Sequence, residues 1–267
     1  LRQINIPDSV TSIGNWAFER CTSLRQIYIP DGVTSIGNGA FLGCKSLEQI
    51  TIPSSVSAIE GNPFVGCTCT ITCHSPHFKV VDNVLYNSDL TKLISCLSTQ
   101  SHFTIPDGVT SIGNWVFADC TSLEQINIPD SVTDIGDSAF RDCSSLRQIT
   151  IPDGVTSIGD SAFEGCTSLR QINIPSGVTS IEFGAFSYCT SLEQIYTPDS
   201  VTRIGGGAFA GCISLRQIYI PSSVTSIGVG AFIICESLQT ILIPRGSRGK
   251  FERLLPDDKD KLVEAGD

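Results

Sequence analysis

Apolar residues return along this chain in one fixed order, separated by polar residues that vary. The first copy reads LRQINIPDSVTSIGNWAFERC, with apolar positions at Leu1, Ile4, Ile6, Val10, Ile13, Ala17, Phe18 and Cys21. Further copies follow at intervals of 23 residues, so that an Ile-Pro or Thr-Pro step recurs at Pro7, Pro30, Pro53, Pro106, Pro129, Pro152, Pro175, Pro198, Pro221 and Pro244. A fixed period of this length is typical of a solenoid, in which each copy forms one coil.

Each copy predicts the same short elements. Ile4 and Ile6 alternate with polar residues, which is the period of a strand with one buried face. Pro7 ends this strand because proline has no N–H for the ladder. Residues Val10–Ile13 predict a second short strand, and Trp16–Arg20 predict one helical or 3₁₀ turn. Copies stacked about 4.8 Å apart would bury columns of Ile, Phe and Cys in a shared core.

One copy breaks the period. The step from Pro53 to Pro106 is 53 residues long, which is seven more than two periods. Within the irregular segment over residues 70–99, VVDNVLY at Val80–Tyr86 predicts a strand, an Asp-Asn turn and a second strand. We expect this hairpin to project from the rod or to bend it, which makes it a candidate recognition element. The alternative is an insertion with no role in recognition, which lets the two blocks of repeats differ in curvature.

The two ends of the repeat array differ. After Pro244 the sequence becomes charged, and an apolar stripe runs through it at Phe251, Leu254, Leu255, Leu262 and Val263. We therefore predict a solenoid over residues 1–245 and a capping segment over 246–267, with one or two short helices, the second starting at Pro256-Asp257-Asp258. The first coil has no such cap, which predicts an exposed core end and possible end-to-end self-association.

The chain contains no Met and opens in mid-pattern, so we expect it to be a piece of a longer protein.

The repeat LRQIYIPDGVTSIGNGAFLGC and its siblings, over residues 1–69 and 100–244, resemble the leucine-rich repeats of BspA-like surface proteins, the Treponema pallidum type. FKVVDNVLYNSDLTKLISC resembles the family's irregular hairpin repeat, and GSRGKFERLLPDDKDKLVE resembles the closing segment of Bacteroidetes members. The resemblance implies a right-handed, mainly β superhelix with strands on its concave face. It also implies a cell-surface or secreted protein that adheres to host proteins, such as fibronectin or fibrinogen, or to other cells. It brings no shared catalytic residues.

Composition and charge narrow the classes of function. The net charge is −10 over 267 residues, which disfavours binding to a nucleic-acid backbone. No apolar run approaches the roughly 18 residues that span a bilayer. The three histidines are His74, His77 and His102, and none lies in a nucleophile or metalloprotease motif. No glycine loop resembles a phosphate cradle. We therefore predict no catalytic residue, no cofactor and no enzyme.

The cysteines predict a buried column of thiols. Nine share one repeat position: Cys21, Cys44, Cys67, Cys120, Cys143, Cys166, Cys189, Cys212 and Cys235. Their Cβ vectors would be parallel, which does not favour disulfides, so we expect reduced thiols.

Three further cysteines, Cys69, Cys73 and Cys96, lie in or beside the irregular copy. Cys67, Cys69 and Cys73 with His74 and His77 hint at zinc. Strand alternation would send the side chain of His74 away from the cysteines, so we predict no metal. A disulfide among Cys69, Cys73 and Cys96 is a further alternative.

Two polar columns are expected on the exposed face of the first strands. One consists of Gln3, Gln26, Gln49, Gln125, Gln148, Gln171, Gln194 and Gln217, and we interpret it as a hydrogen-bonded amide ladder. The next varies between copies: Asn5, Tyr28, Thr51, Asn127, Thr150, Asn173, Tyr196, Tyr219 and Leu242. Exposed aromatic residues are enriched at binding surfaces. The predicted partner-binding residues are Tyr28, Tyr196, Tyr219 and Leu242, with Arg216 beside them and Tyr86 in the hairpin. Tyrosine is also a favoured strand residue, so a structural role is the alternative.

Two charged columns are predicted as well. Arg2, Arg25, Glu48, Glu124, Arg147, Arg170, Glu193 and Arg216 alternate in sign, which predicts a solvated face with cross-strand ion pairs. Asp8, Asp31, Asp107, Asp130, Asp153 and Asp199 follow the prolines, where we predict turn formation with calcium binding as the alternative. Together these patterns predict a non-enzymatic extracellular binding module. The alternative is a structural spacer within a larger surface protein.

Overall fold

A computed structural model describes residues 2–265. Leu1, which the pattern places in the core, and residues 266–267 of the predicted cap lie outside the described residues. The strands in chain order are β1 (Gln3–Asn5), β2 (Ser12–Ile13), β3 (Gln26–Tyr28), β4 (Ser35–Ile36), β5 (Gln49–Ile52), β6 (Ala58–Ile59), β7 (Thr70–Cys73), β8 (Phe78–Val81), β9 (Val84–Asn87), β10 (Lys92–Cys96), β11 (His102–Thr104), β12 (Ser111–Ile112), β13 (Gln125–Asn127), β14 (Asp134–Ile135), β15 (Gln148–Ile149), β16 (Ser157–Ile158), β17 (Gln171–Asn173), β18 (Ser180–Ile181), β19 (Gln194–Tyr196), β20 (Arg203–Ile204), β21 (Gln217–Tyr219), β22 (Ser226–Ile227), β23 (Thr240–Ile243) and β24 (Leu262–Glu264). Helix α1 (Arg248–Leu254) and a 3₁₀ turn (Lys259–Lys261) lie between β23 and β24.

The chain forms a β-solenoid of about 11 turns, as the period predicts. Each regular coil contributes a first strand and a second strand, and these stack on their counterparts in neighbouring coils, where they form short parallel sheets, mostly of two or three strands. Residues at the same repeat position face each other, as in Ile4↔Ile27 and Ile13↔Ile36. Because one coil uses one 23-residue period, every column of the sequence becomes a column of the structure.

The third segment of each coil differs from the prediction. The stretch from Trp16 to Arg20 is a run of turns, and the prediction of a helical or 3₁₀ turn there is wrong. Trp16 and Arg20 have positive φ angles of 61° and 54°, which no right-handed helix allows. The N–H groups of alternate residues instead reach the next coil, as Phe18 N does to Ala40 O at 2.7 Å. These coil-to-coil bonds satisfy backbone groups that a single helical turn would leave open.

Phenylalanine rings form the axis of the core. Rings stack with centroids 5.1–5.6 Å apart along Phe117, Phe140, Phe163, Phe186, Phe209 and Phe232. A shorter stack joins Phe18, Phe41 and Phe64 at 5.3 and 5.7 Å. The buried side chains accordingly form two clusters, one within residues 6–97 and one within residues 84–262.

The irregular copy lies between these two clusters. β8, β9 and β10 form an antiparallel meander, and β10 continues in parallel with β12, β14 and β16. The expected hairpin therefore exists, but it extends the sheet of second strands, and the expectation that it projects from the rod is wrong. A separate hairpin would leave the N–H and C=O groups along the outer edge of β10 unpaired. Pairing β10 with β12 satisfies these groups.

The end of the chain closes the last coil with a helix and a strand. α1 buries Phe251, and β24 then adds to β23 in parallel, with Leu242 opposite Val263. The predicted first helix is confirmed. The predicted second helix is a single 3₁₀ turn, and Leu262 and Val263 belong to a strand because the open ladder edge of β23 needs a partner.

Candidate binding face

The first strands present their polar columns outward, as predicted. Alternation along each strand buries the central isoleucine and exposes the residues on either side, so that Gln194 and Tyr196 flank buried Ile195. The proline that follows ends the strand, which fixes how far this face extends along each coil. We call the outward surface of the first strands the strand face.

Three of the predicted binding residues meet in one groove on the strand face. Tyr196, Arg216 and Tyr219 line a depression of about 570 Å³ formed by the strands β17, β19 and β21. The side chain of Tyr196 is 57% exposed. Burial, followed by the charges of Asp199 and Tyr196, raises the pKa of Tyr219 above its usual value. The Tyr219 phenol is therefore a neutral hydrogen-bond donor at physiological pH, beside the guanidinium of Arg216.

The aromatic column continues into the cap. Leu242 follows Tyr219 in register, and Val263 of β24 lies opposite Leu242 with 39% of its surface exposed. Sequence reasoning placed Val263 in a helix and so missed it as part of the strand face. The sequence Leu262-Val263-Glu264 does not alternate between apolar and polar residues, so it carried no strand signal there.

The other two predicted binding residues lie elsewhere. Tyr28 is 59% exposed on β3, seven first strands before β19, or roughly 30 Å away at strand spacing. Tyr86 is only 2% exposed, so the prediction that it contacts a partner is wrong. It packs into the core cluster of the later repeats because strand β9 is covered on both faces. Burial is also the main cause that raises the pKa of Tyr86 to about 12.

The charged column forms two of the cross-strand pairs that its alternating sign predicts. Arg25 lies 3.8 Å from Glu48, and Arg147 lies 3.8 Å from Glu124. Within residues 2–265, Arg216 has no ion-pair partner, so its guanidinium is available at the groove. These exposed pairs contribute at most about 1 kcal/mol each.

The glutamine column does not form the amide ladder that we predicted. All eight side chains are exposed, and no side-chain hydrogen bond joins one of them to the next in the described part of the chain. The ladders that do form use another column, in which Asn15, Asn38, Asn114, Asp137 and Asp160 accept backbone N–H groups of the next coil. The sequence signal for this ladder was the Asn or Asp that follows the glycine of the repeat, as in Gly14-Asn15 and Gly136-Asp137.

The cysteine column is a row of buried thiols. From Cys44 to Cys235 the column members other than Cys120 donate Sγ–H to a phenylalanine carbonyl of the preceding coil, as Cys166 does to Phe140 O at 3.1 Å. Cys120, which follows the irregular copy, donates instead to the carbonyl of Cys96 at 3.9 Å. Burial raises the pKa of Cys44 and of Cys235 to about 11. Such thiols stay protonated at neutral pH and act as small apolar residues with one donor.

The residues that hinted at zinc are not gathered into a site. Cys69 is buried, whereas His74 and His77 are exposed on the strand's other side and the following turn. Among residues 2–265, no group of three or more His, Cys, Asp or Glu side chains is arranged to hold a metal ion. This includes the aspartates that follow the prolines.

An apolar surface that the sequence analysis did not single out lies on the turn segments of the last coils. Val229 is 96% exposed, and Phe183, Ile233 and Ile234 are 62%, 57% and 54% exposed. Phe183 and Val229 occupy the position at which earlier coils carry Asn or Asp, which was the missed signal. Large exposed apolar patches often mark interaction sites.

Comparison with known proteins identifies the repeat. The model of the BspA type leucine rich repeat region matches residues 1–101, 94–212 and 133–250. A leucine rich cell surface protein from Faecalibacterium prausnitzii is 35% identical over 95% of this chain, with a TM-score of 0.68, and the chain spans 62% of that protein's length. A leucine-rich repeat protein from Eubacterium ventriosum is 25% identical with a TM-score of 0.72, covering 90% of this chain and 78% of that one.

A more distant structure shows the same fold. The pneumococcal vaccine antigen PcpA is 22% identical with a TM-score of 0.79, covering all of this chain and 67% of its own. No protein with a curated function matches the chain. Within residues 2–265, no helix has both the length and the apolar character to cross a bilayer. BspA-like proteins are typically found at the cell surface, and leucine-rich repeats are generally non-enzymatic. The match over residues 1–250 shows that this chain belongs to the BspA-type leucine-rich repeat family.

Proposed function

We propose that this chain is an extracellular adhesion module that binds host matrix proteins or other cell-surface proteins through its strand face. The observation that carries the proposal is the groove in which Tyr196, Tyr219 and Arg216 converge. Tyr and Arg are the residue types most enriched at the energetic centres of protein interfaces. The similar Faecalibacterium protein, described as a cell surface protein, supports the location.

The shape of the strand face favours a protein partner over a small molecule. The groove is shallow, and its floor is formed by Ile195 between the outward polar columns. Small molecules are usually bound in deeper, mostly apolar pockets, whereas protein partners bind extended surfaces with aromatic anchors and a polar rim. Gln171, Glu193 and Gln217 supply that rim.

Binding to immobilised fibronectin and fibrinogen tests the proposal. We expect saturable binding, and the double variant Tyr196→Ser/Tyr219→Ser should bind at least tenfold more weakly, since aromatic anchors typically contribute about 1–2 kcal/mol or more each. The matched control is Tyr188→Ser, which removes a tyrosine that is 53% exposed on a turn segment.

Three outcomes are distinguishable. Equal loss in the double variant and in Tyr188→Ser would contradict a site on the strand face. Unchanged binding in the double variant would move the site away from the groove, and a test of Tyr28→Ser would then examine the other end of the same column. Absence of binding to any matrix or cell-surface protein would favour a spacer that holds another domain away from the cell.

A further inference from the structure

The turn segments of the solenoid are joined by a ladder of backbone hydrogen bonds. In the first two coils, and in the five coils whose turn segments begin at Trp115, Ser138, Ser161, Gly184 and Gly207, three alternate N–H groups donate to three carbonyl groups of the next coil. Gly207, Phe209 and Gly211 thus donate to the carbonyl groups of Val229, Ala231 and Ile233 at 3.1, 2.9 and 2.9 Å. The same pattern begins at Trp16, Phe18 and Arg20 in the first coil. The third coil, which precedes the irregular copy, does not show this pattern in the described residues.

In the last coil, this ladder is open. The equivalent donors are the N–H groups of Gly230, Phe232 and Ile234, and none has an acceptor within residues 2–265. The cap does not supply one, because β24 pairs with the first strand β23 and leaves the turn segment alone. Three unpartnered donors in a row form an edge that can accept an extended backbone.

The open edge lies along an apolar groove. A cavity of about 660 Å³ separates the last turn segment from the end of α1 and the loop that follows it. Its apolar lining includes Ile227, Val229, Phe232, Leu238, Leu254 and Leu255. In every earlier pair of regular turn segments, the corresponding position is filled by a stretch such as Gly207–Ala210, whose Ala and Phe side chains enter the core. The groove is the place where that stretch is missing.

The rim of the groove is acidic. Glu236, Asp257 and Asp258 lie along it, and only Asp258 has a basic partner, Lys261 at 2.7 Å. In the described residues, Glu236 and Asp257 form no ion pair. An occupant with Lys or Arg beside its apolar part would neutralise them.

We propose that this groove binds an extended peptide segment of a partner protein. The segment would accept hydrogen bonds from Gly230, Phe232 and Ile234, place small and aromatic side chains over the end of the phenylalanine stack, and carry a basic residue for the rim. A complete coil from a second copy does not fit, because β24 occupies the position that its first strand would take. The site lies on the turn side of the last coil and is independent of the strand face.

The peptide KGGGAFAGK tests the proposal. Its centre copies Gly205–Gly211, which accepts the equivalent hydrogen bonds two coils earlier, from Gly184, Phe186 and Tyr188, and lysines flank it. Added to isotope-labelled protein, it should shift the amide signals of Gly230, Phe232 and Ile234 saturably and slow their hydrogen exchange at least tenfold. The peptide KGGGASAGK, which lacks the aromatic ring, should bind at least tenfold more weakly.

Two protein variants separate the rim from general charge effects. Asp257→Lys reverses a charge that lines the groove and should weaken binding of KGGGAFAGK about threefold to tenfold. Asp260→Lys makes the same change at an exposed residue in the adjacent 3₁₀ turn, away from the groove lining, and should leave affinity within twofold.

Several results would overturn the proposal. Exchange at Gly230, Phe232 and Ile234 in the free protein as slow as at Gly207, Phe209 and Gly211 would mean that the edge is not open. Protection that rises with protein concentration alone would identify a second copy as the occupant. Unchanged amide signals at millimolar peptide, or equal losses in both charge variants, would also exclude the site.

Discussion

At the scale of single residues, Thr197 is a buried polar residue at a repeat position that is otherwise apolar. Every other regular coil carries isoleucine before the proline, and the neighbours Ile174 and Ile220 are 3% and 0% exposed. Thr197 is fully buried, and its hydroxyl oxygen has no hydrogen-bond partner in the described structure. A buried hydroxyl without a partner destabilises the fold by about 1–3 kcal/mol.

Replacing this residue with the repeat's usual one should stabilise the protein. Thr197→Ile replaces the unpartnered hydroxyl with an ethyl group between two isoleucines, so we expect the free energy of unfolding to rise by about 1–2 kcal/mol. Urea denaturation measures it, with Thr150→Ile on the exposed strand face as the control. The control should change stability by no more than about 0.5 kcal/mol. A loss of stability in Thr197→Ile would mean that the column there is too tightly packed for isoleucine.

Burial of single residues was predicted correctly where every coil carries the same residue type at that position. It was predicted wrongly where a residue packs against partners outside its repeat. The inward isoleucines, phenylalanines and cysteines follow from the period alone. The turn residues needed one more step: glycine recurs in place of Trp16 and Arg20, at Gly39 and Gly43, which signals a left-handed backbone. Tyr86 lies in a run of three apolar residues, Val84–Tyr86, which is typical of a strand buried on both faces.

At the scale of elements, the turn between β8 and β9 is held by one asparagine. Asn83 has a φ angle of 62°, and its side-chain carbonyl accepts the N–H of Ile71 at 2.9 Å. Its amide nitrogen donates to the carbonyl groups of Cys69 at 3.0 Å and Leu97 at 3.4 Å. Asn83 thus ties the hairpin to the coil before it and to the segment after it.

Two substitutions at Asn83 separate its hydrogen bonds from its backbone conformation. Asn83→Gly keeps the left-handed conformation and removes the side chain, which should cost about 1–3 kcal/mol of unfolding free energy. Asn83→Ala should cost about 1 kcal/mol more, because alanine disfavours that conformation. Thermal and urea unfolding provide the measurement. Equal stabilities for the glycine variant and the parent protein would contradict the tie described here.

Elements within the repeat were predictable, whereas elements outside it were predictable only in part. The hairpin and α1 have local signals, the Asp-Asn turn and the apolar stripe. The pairing of β10 with β12 and of β24 with β23 has none, because these strands pair outside the repeat register, as in Lys92↔Ser111 and Ile241↔Leu262, and each is determined by an open strand edge. The groove of Tyr196, Arg216 and Tyr219 was foreseeable, since strand register follows directly from the repeat.

At the scale of the whole molecule, the meander separates two cores. Neighbouring residues of its strands face opposite ways: Val84 and Leu93 belong to the core of the later repeats, whereas Leu85 and Ile94 belong to the core of the earlier ones. The two phenylalanine stacks end on either side of it. In a solenoid, stability is approximately a sum of coil and nearest-neighbour contributions, so a break in the core can uncouple two blocks.

Leu85 and Leu93 form a matched pair for testing whether the blocks unfold separately. Both side chains are fully buried, and each faces a different core. Truncation to alanine should cost about 2–5 kcal/mol locally. Hydrogen exchange followed by mass spectrometry should show faster exchange mainly before residue 74 in Leu85→Ala, and mainly after residue 104 in Leu93→Ala. The earlier block has the shorter phenylalanine stack, so it should also exchange faster in the parent protein. If both variants accelerate exchange equally in both blocks, the meander transmits stability across the whole rod, and the solenoid unfolds as one cooperative unit.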